Sequence, residues 1–317
     1  MKKEQIVALL FAMMVAASVT AIPAAAATYS STQVSECEDV TYSLVEEGIG
    51  ARSLVRKYKS LSSISNKNVT AYLRPTISIN GRALSRKGLV INGAAYIPFR
   101  AAATAIGASY SYNSATKTSV MTANGLSMNA GAGCYTVYAN DRALFSEHPV
   151  VIMNDGIMYI PASVFAKACG MKVSSSSSLV NISGSYKPIA HASKFYREDE
   201  VFWLARIIHA ESRGEPLFGK IAVGDVVLNR VRSSAYPNTI YGVIFDRKYG
   251  VQFSPVLDGS IYNTPDFNSI LAAKICLDGY SISDEALFFL EPSHSTSSWI
   301  PNNRPYMFTI GKHDFYK

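Results

Sequence analysis

A pattern that occurs twice at a fixed offset constrains this chain more than any other feature. Tyr96-Ile97-Pro98 and Tyr159-Ile160-Pro161 lie 63 residues apart, and so do Gly107 and Gly170. Asn92-Gly93 and Asp155-Gly156 each precede the apolar tripeptide, as the turn of a hairpin would. A short alanine-rich helix is predicted after each tripeptide, over Phe99 to Ile106 in the first copy and Val164 to Cys169 in the second. Gly107 or Gly170 then closes it in the C-cap position. Ile77-Ser78-Ile79-Asn80-Gly81 adds a strand and a turn ahead of the first copy. Equal offsets at two landmarks mark an internal duplication, and a β-rich domain is expected over residues 76–184.

The remaining chain divides around that domain. Lys2 and Lys3, the apolar run Ile6 to Val19 and the small residues Ala24 to Ala27 have the order of a secretory signal peptide over residues 1–27. A secreted protein is therefore expected, and no later apolar run reaches the roughly 18 residues of a spanning helix. Residues 28–75 form a polar N-terminal segment. Gly184 to Ser193, with Pro188, reads as a linker, placed at 185–196, and residues 197–317 form a second domain. The two halves are expected to be separable. Charge follows the same division. Residues 28–194 carry 16 Lys and Arg against 8 Asp and Glu, whereas residues 195–317 carry 12 against 14. The basic first half, with Arg52, Arg56, Lys57 and Lys59 clustered in it, calls for an anionic partner.

Cys37, Cys134, Cys169 and Cys276 contain no Cys-x-x-Cys pair, so a zinc ribbon or thioredoxin-type site has no support. Two readings stand for the cysteines of the repeat domain: a Cys134–Cys169 disulfide, or small buried hydrophobes.

From Glu198 the pattern turns helical. Glu198, Asp199 and Glu200 put negative charge at a helix N-terminus, and Val201, Leu204, Ala205 and Ile208 recur at helical spacing. Glu211 continues that apolar stripe, and the helix is predicted to stop near Gly214 and Pro216. Burial and the negative end of the helix dipole both raise the pKa of a carboxyl placed there, as a glycosidic general acid needs. The competing reading makes Glu211 a partly exposed residue at a fraying helix end, paired with Arg213 or Arg206.

The segment Ala205-Arg206-Ile207-Ile208-His209-Ala210-Glu211-Ser212-Arg213-Gly214-Glu215-Pro216 is similar to the signature of the SleB/CwlJ-type cell wall hydrolases. The resemblance continues through Gly219 to Gly224, Val227 to Val231, Tyr236 to Ile240, Gln252 to Val256, Ala286 to Phe289, Trp299, Arg304-Pro305 and Ile310 to Tyr316, about 120 residues in order. It implies a mainly α, lysozyme-like catalytic domain at 197–317. The implied reaction is lytic transglycosylase cleavage of the MurNAc-GlcNAc bond in peptidoglycan, with Glu211 as acid and base and with no cofactor or metal. Ile79-Asn80-Gly81, Tyr96 to Arg100, Gly107-Ala108 and Ser109 to Val120 resemble a copper amine oxidase N-terminal-like domain. That family implies an accessory module for adhesion or wall association. No redox-cofactor motif or copper ligand set accompanies it. In the second copy Ala162-Ser163 stand where the first has Phe99-Arg100.

The expected whole is a two-domain α+β chain, secreted and cell wall associated, with peptidoglycan and anionic cell-wall polymers as partners and no nucleic acid. Its setting is cell wall turnover or spore cortex lysis. Candidate substrate-binding residues are Glu215, Gln252, Ser254, Trp299 and Tyr306. Glu215, read as a loop residue between Gly214 and Pro216, either orients Arg213 or contacts sugar, with the structural role favoured. Gln252 and Ser254 are sugar hydrogen-bonders or turn residues, and Trp299 and Tyr306 are stacking platforms or ordinary packing. Asn229 and Arg230 cap or tether their helix. Two rivals stand against this reading, an N-acetylmuramoyl-L-alanine amidase and a non-catalytic cell-wall-binding protein. The scattered histidines His148, His191, His209, His294 and His313 do not favour a zinc amidase, and Cys276 on a predicted helix over 264–278 does not favour a cysteine peptidase.

Overall fold

The structure is a computed structural model and describes residues 73–248, 250–295 and 298–317. The signal segment, the basic cluster and Cys37 lie outside the described residues. Fifteen elements follow the order of the duplication. They are β1 (Thr76–Ile79), β2 (Arg82–Ala83), β3 (Leu89–Ile91), β4 (Ala94–Pro98), α1 (Phe99–Ala105), β5 (Ser109–Asn113), β6 (Thr118–Ala123), β7 (Leu126–Gly131), β8 (Thr136–Ala139), β9 (Arg142–Phe145), β10 (Val151–Ile152), β11 (Met158–Pro161), α2 (Ala162–Cys169), β12 (Lys172–Ser175) and β13 (Leu179–Ser183).

The two copies join edge to edge in one sheet. β4 and β11 pair antiparallel with Ile97 opposite Ile160, so each Tyr-Ile-Pro motif lies against the other. One four-stranded sheet runs β10-β11-β4-β3, a second runs β12-β13-β1-β2, and β5 to β9 form a five-stranded meander. The Asn-Gly turns take the conformation their residues favour: Asn80, Gly81, Asn92 and Gly93 have φ of 49°, 80°, 49° and 81°. Ile97, Phe99, Ile160 and Phe165 are fully buried in the core between the helices and sheets.

Cys169 is a free thiol in that core, and burial pushes its pKa up to about 12. Cys134 is disulfide-bonded. The Cys134–Cys169 pairing is therefore not formed, because Cys169 sits on the inward face of α2 and behaves as a small hydrophobe.

The second domain contains α3 (Ala192–Phe195), α4 (Glu198–Ser212), α5 (Leu217–Arg232), α6 (Ile240–Ile244), α7 (Pro255–Asp258), α8 (Phe267–Leu277), β14 (Phe288–Leu290), α9 (Trp299–Asn303), β15 (Tyr306–Ile310) and β16 (His313–Tyr316). Every residue of α5 from Leu217 to Arg230 is buried, because α4 and α8 pack on it. A helix with no solvent face explains why its sequence is nearly apolar all round. β14, β16 and β15 form an antiparallel sheet at the end of the helical core.

The connecting segment packs on the repeat domain, and the two domains share contacts. The Lys187 and Ile189 backbone N–H groups donate to the Cys169 and Ala168 carbonyls, and the Ala192 N–H donates to the Asn140 carbonyl, so the connecting segment is pinned to the repeat domain. Arg142 donates through Nε (3.2 Å) and Nη2 (2.7 Å) to the two carboxylate oxygens of Asp278 at the end of α8. The Tyr196 hydroxyl donates to Asp278 Oδ2 at 2.6 Å, and Lys167 Nζ donates to the Asp278 carbonyl at 2.8 Å. Phe145 packs against Phe218 and Tyr280, with ring centres 5.7 and 4.6 Å away. Tyr135 and Ala143 belong to the same buried cluster as the second domain's core. Ala143 and Phe145 of β9 thus pack with the other domain's core, while Leu144 between them belongs to the repeat domain's core.

Candidate active site

Glu211 is the second-to-last residue of α4, partly buried on the face turned toward α5 and the C-terminal sheet. The last turn of α4 is held at several points. Lys220 Nζ donates to the Ser212 and Arg213 carbonyls at 2.6 and 2.8 Å, which places a buried cation on the negative end of the helix. The Asp266 backbone N–H donates to His209 Nδ1 at 3.2 Å, and the Asp266 side chain caps α8. The helix end is therefore locked rather than fraying. Among the described residues neither Arg206 nor Arg213 pairs with Glu211; the Arg206 guanidinium lies 3.9 Å over the Phe202 ring.

Desolvation pushes the Glu211 carboxyl up to about 7. Three charged or titratable groups modulate that: His313 on β16 lowers it, Asp258 at the end of α7 raises it, and Arg230 on α5 lowers it. Four elements thus converge on one carboxyl. Asp258 itself is exposed and held below its ordinary value, chiefly by hydrogen bonding from Ser260. One carboxyl is held up and its neighbour is held down, the division that lets one give a proton while the other stays ionised.

Arg230 is 95% buried, its Nε donates to the Leu287 carbonyl at 2.8 Å, and the rings of Tyr236, Phe253 and Phe288 surround its guanidinium at 5.1, 5.2 and 5.4 Å. Asn229 Nδ2 donates to the Ser283 and Ala286 carbonyls. Both residues tether α5 to the segment before β14. Arg230 also carries a charge felt at Glu211, which its place in an apolar helix did not suggest. His313 is buried on the inward face of β16 with Phe315. A histidine in an inward position of an alternating strand was the signal for it.

Glu215 is brought close but committed elsewhere. It is 92% buried, and its Oε2 accepts the Lys312 backbone N–H at 3.1 Å while Oε1 lies 3.7 Å from His313 Nδ1. Burial raises its pKa, but the His313 and Lys312 contacts outweigh this and hold it below its ordinary value. Gly311, at φ 57°, leaves the room this carboxylate occupies; a Cβ there would collide with it. Glu215 is thus a staple between the start of α5 and the β15–β16 turn, held by Lys312 and His313 and not by Arg213. Gln252 is partly buried and its Nε2 donates to the Gly250 carbonyl at 3.1 Å. Ser254 is exposed at the start of α7, the short helix that ends in Asp258. Trp299 and Tyr306 are 52% and 58% exposed. Trp299 packs edge-on to Phe288, and Tyr306 edge-on to Tyr316, so both flank the sheet that carries His313.

Among the described residues no three His, Cys, Asp or Glu side chains lie close enough to hold a metal ion. Cys276 is fully enclosed, and burial raises its pKa well above the usual thiol range. A buried protonated thiol is not a nucleophile.

A helix-borne carboxyl poised near neutrality beside an ionised one is the equipment of a general acid in glycosidic chemistry. Residues 214–316 match the Cell Wall Hydrolase family, and residues 78–183 match the Copper amine oxidase N-terminal domain. The C-terminal domain is a cell wall hydrolase domain, and the β-rich domain before it is of the copper amine oxidase N-terminal type. The first match begins at residue 214, so the role of Glu211 rests on its geometry. The chain is 40% identical to a spore cortex-lytic enzyme of Bacillus cereus over 122 residues, 38% of this chain and 46% of that protein. It is 38% identical to a spore cortex-lytic enzyme of Bacillus subtilis over 120 residues, 38% of each. The chain thus spans less than half the length of these relatives. A solved structure of the catalytic domain of the germination-specific lytic transglycosylase SleB from Bacillus anthracis is 40% identical, with 38% of this chain and 97% of that chain covered and a TM-score of 0.36.

Proposed function

We propose that this chain is a secreted peptidoglycan-degrading enzyme, a lytic transglycosylase that cleaves the MurNAc-GlcNAc glycosidic bond for spore cortex lysis or wall turnover. The observation that carries the reading is the Glu211 carboxyl, placed on a locked helix end and raised to about 7 by desolvation. In the first half of the reaction Glu211 gives its proton to the glycosidic oxygen as the C1–O bond breaks. Its carboxylate then takes the proton of the muramyl 6-hydroxyl as that oxygen closes on C1, leaving a 1,6-anhydro end and restoring the acid. Arg230 and His313 face the carboxylate while it is charged, and ionised Asp258 opposes the positive charge that develops on the sugar ring. The β-rich domain, with its basic surface, holds the anionic wall against the enzyme. Gln252, Ser254, Trp299 and Tyr306 are the proposed contacts along the glycan.

Mass spectrometry of products released from purified peptidoglycan tests the reading, with 1,6-anhydro ends expected. Reducing ends would replace the transglycosylase by a hydrolase, and freed stem peptides would establish the amidase instead. Excess EDTA is expected to leave activity unchanged; loss restored by zinc would likewise establish the amidase.

A further inference from the structure

We infer that a groove on the β-rich domain, rimmed by Arg82, Arg86 and Arg100, binds the carboxylates of peptidoglycan stem peptides. The inference rests on the reading that this domain holds the wall, and it assigns the site. The groove encloses about 510 Å³ between β2, the loop before β3 and the helix α1. Its floor is apolar, from Leu84, Ala101 and Ile157, and no Asp or Glu lines it. The three arginines come from three separate segments and are all exposed. Arg100 is steadied by the Tyr110 ring, 5.0 Å from its guanidinium.

None of the three has an acidic partner among the described residues, although other cations of the same domain do. Arg74 is paired with Asp155, and Arg142 and Lys167 are paired with Asp278. Residues 73–191 hold 10 Lys and Arg but only 3 Asp and Glu. One of those acids is Asp155, and another, Asp141, lies 2.9 Å from His191. The third, Glu147, accepts the Tyr280 hydroxyl at 3.4 Å, so no acid of the domain lines the groove. Three cations around one groove without a counter-charge favour an incoming anion.

The duplication identifies the anion. β1, the Asn80-Gly81 turn and β2 have a counterpart in β8, the Asn140-Asp141 turn and β9, and all four turn residues have positive φ. Arg82 is the first residue after the one turn, and Arg142 is the first after the other. In the second copy Arg142, joined by Lys167 from the helix α2, grips a carboxylate, that of Asp278. In the first copy Arg82 lines the groove with Arg100 and Thr104 of the helix α1, and no acidic residue of the described chain lines it. One copy's surface is closed on the catalytic domain, and the other is open to a carboxylate from outside. Guanidinium forks suit carboxylates in paired geometry.

The test uses the full chain with Arg82→Gln, Arg86→Gln and Arg100→Gln combined. These residues are exposed, so thermal unfolding should match wild type. The probes are sacculi extracted with hydrogen fluoride, which removes phosphodiester-linked polymers, and the same sacculi with their carboxylates amidated. Wild type should be retained by extracted sacculi in the cold at low salt. Retention should fall about tenfold in the triple variant and by a similar factor on amidated sacculi. Cleavage of peptide-free glycan fragments should be unchanged. A triple variant retained like wild type overturns the groove while leaving the wall-holding reading intact. Wild-type retention that vanishes on hydrogen fluoride extraction assigns the groove to phosphodiesters and overturns the carboxylate. Wild type held by no sacculi at all overturns the wall-holding reading itself.

Discussion

Replacing Glu211 by Gln separates chemistry from folding, because its two consequences run in opposite directions. The variant keeps shape and hydrogen-bonding atoms but cannot carry the catalytic proton. Loss of a general acid on which leaving-group departure depends should lower the rate by about 10²–10⁴-fold. Stability should move the other way, by an amount that grows as pH rises from the unfolded pKa through the folded one. Folding raises the Glu211 pKa from 4.5 to about 7 through desolvation. A carboxyl whose folded pKa is raised favours the folded state fully below its unfolded pKa and loses that contribution as pH rises through the folded value. At about 1.4 kcal/mol per pKa unit, wild type should lose about 3 kcal/mol between pH 4.5 and pH 8 relative to the Gln variant, which has nothing to ionise. Chemical denaturation at pH 4.5 and pH 8.5, beside muropeptide release from peptidoglycan, reads both effects. A difference in stability that does not change with pH would refute the buried acid. A folded variant with more than about a tenth of wild-type activity would refute its catalytic role.

The pH–rate profile should fall on its alkaline side near pH 7, where Glu211 gives up its proton, and Asp258→Asn should move that limb to lower pH by removing a charge that holds the proton on. A limb that stays in place would mean Asp258 does not act on Glu211. Glu215→Gln should lower the melting temperature, since it loosens the Lys312 contact, yet keep most of the activity of the folded protein; unchanged stability with lost activity would move the acid to Glu215. Asp278→Ala leaves Arg142 buried without its partner and should cost about 3–5 kcal/mol, splitting one calorimetric transition into two. Two transitions already present in wild type would show that the domains were never coupled.

The duplication was legible because turn chemistry and tripeptide spacing are local: Asn-Gly or Asp-Gly before Tyr-Ile-Pro, and glycine after the helix, set a hairpin and a helix in each copy. The helix that carries Glu211 was legible for a similar reason, since a stripe at helical spacing and a Gly-Pro stop are written in consecutive residues. What surrounds Glu211 was not. His313, Asp258 and Arg230 come from a strand, a short helix and a buried helix far apart in the chain, and desolvation of a carboxyl is a property of everything packed around it. Glu215 read as a possible sugar contact because spacing alone cannot say that the turn at Gly311 closes over it. The contact between the domains was not legible for the same reason: Arg142 and Phe145 lie far along the chain from Asp278 and Phe218, their partners in it, and all four lie outside the linker. Local conformation follows from neighbouring side chains, whereas pKa, burial and domain docking depend on long-range packing that only the tertiary structure supplies.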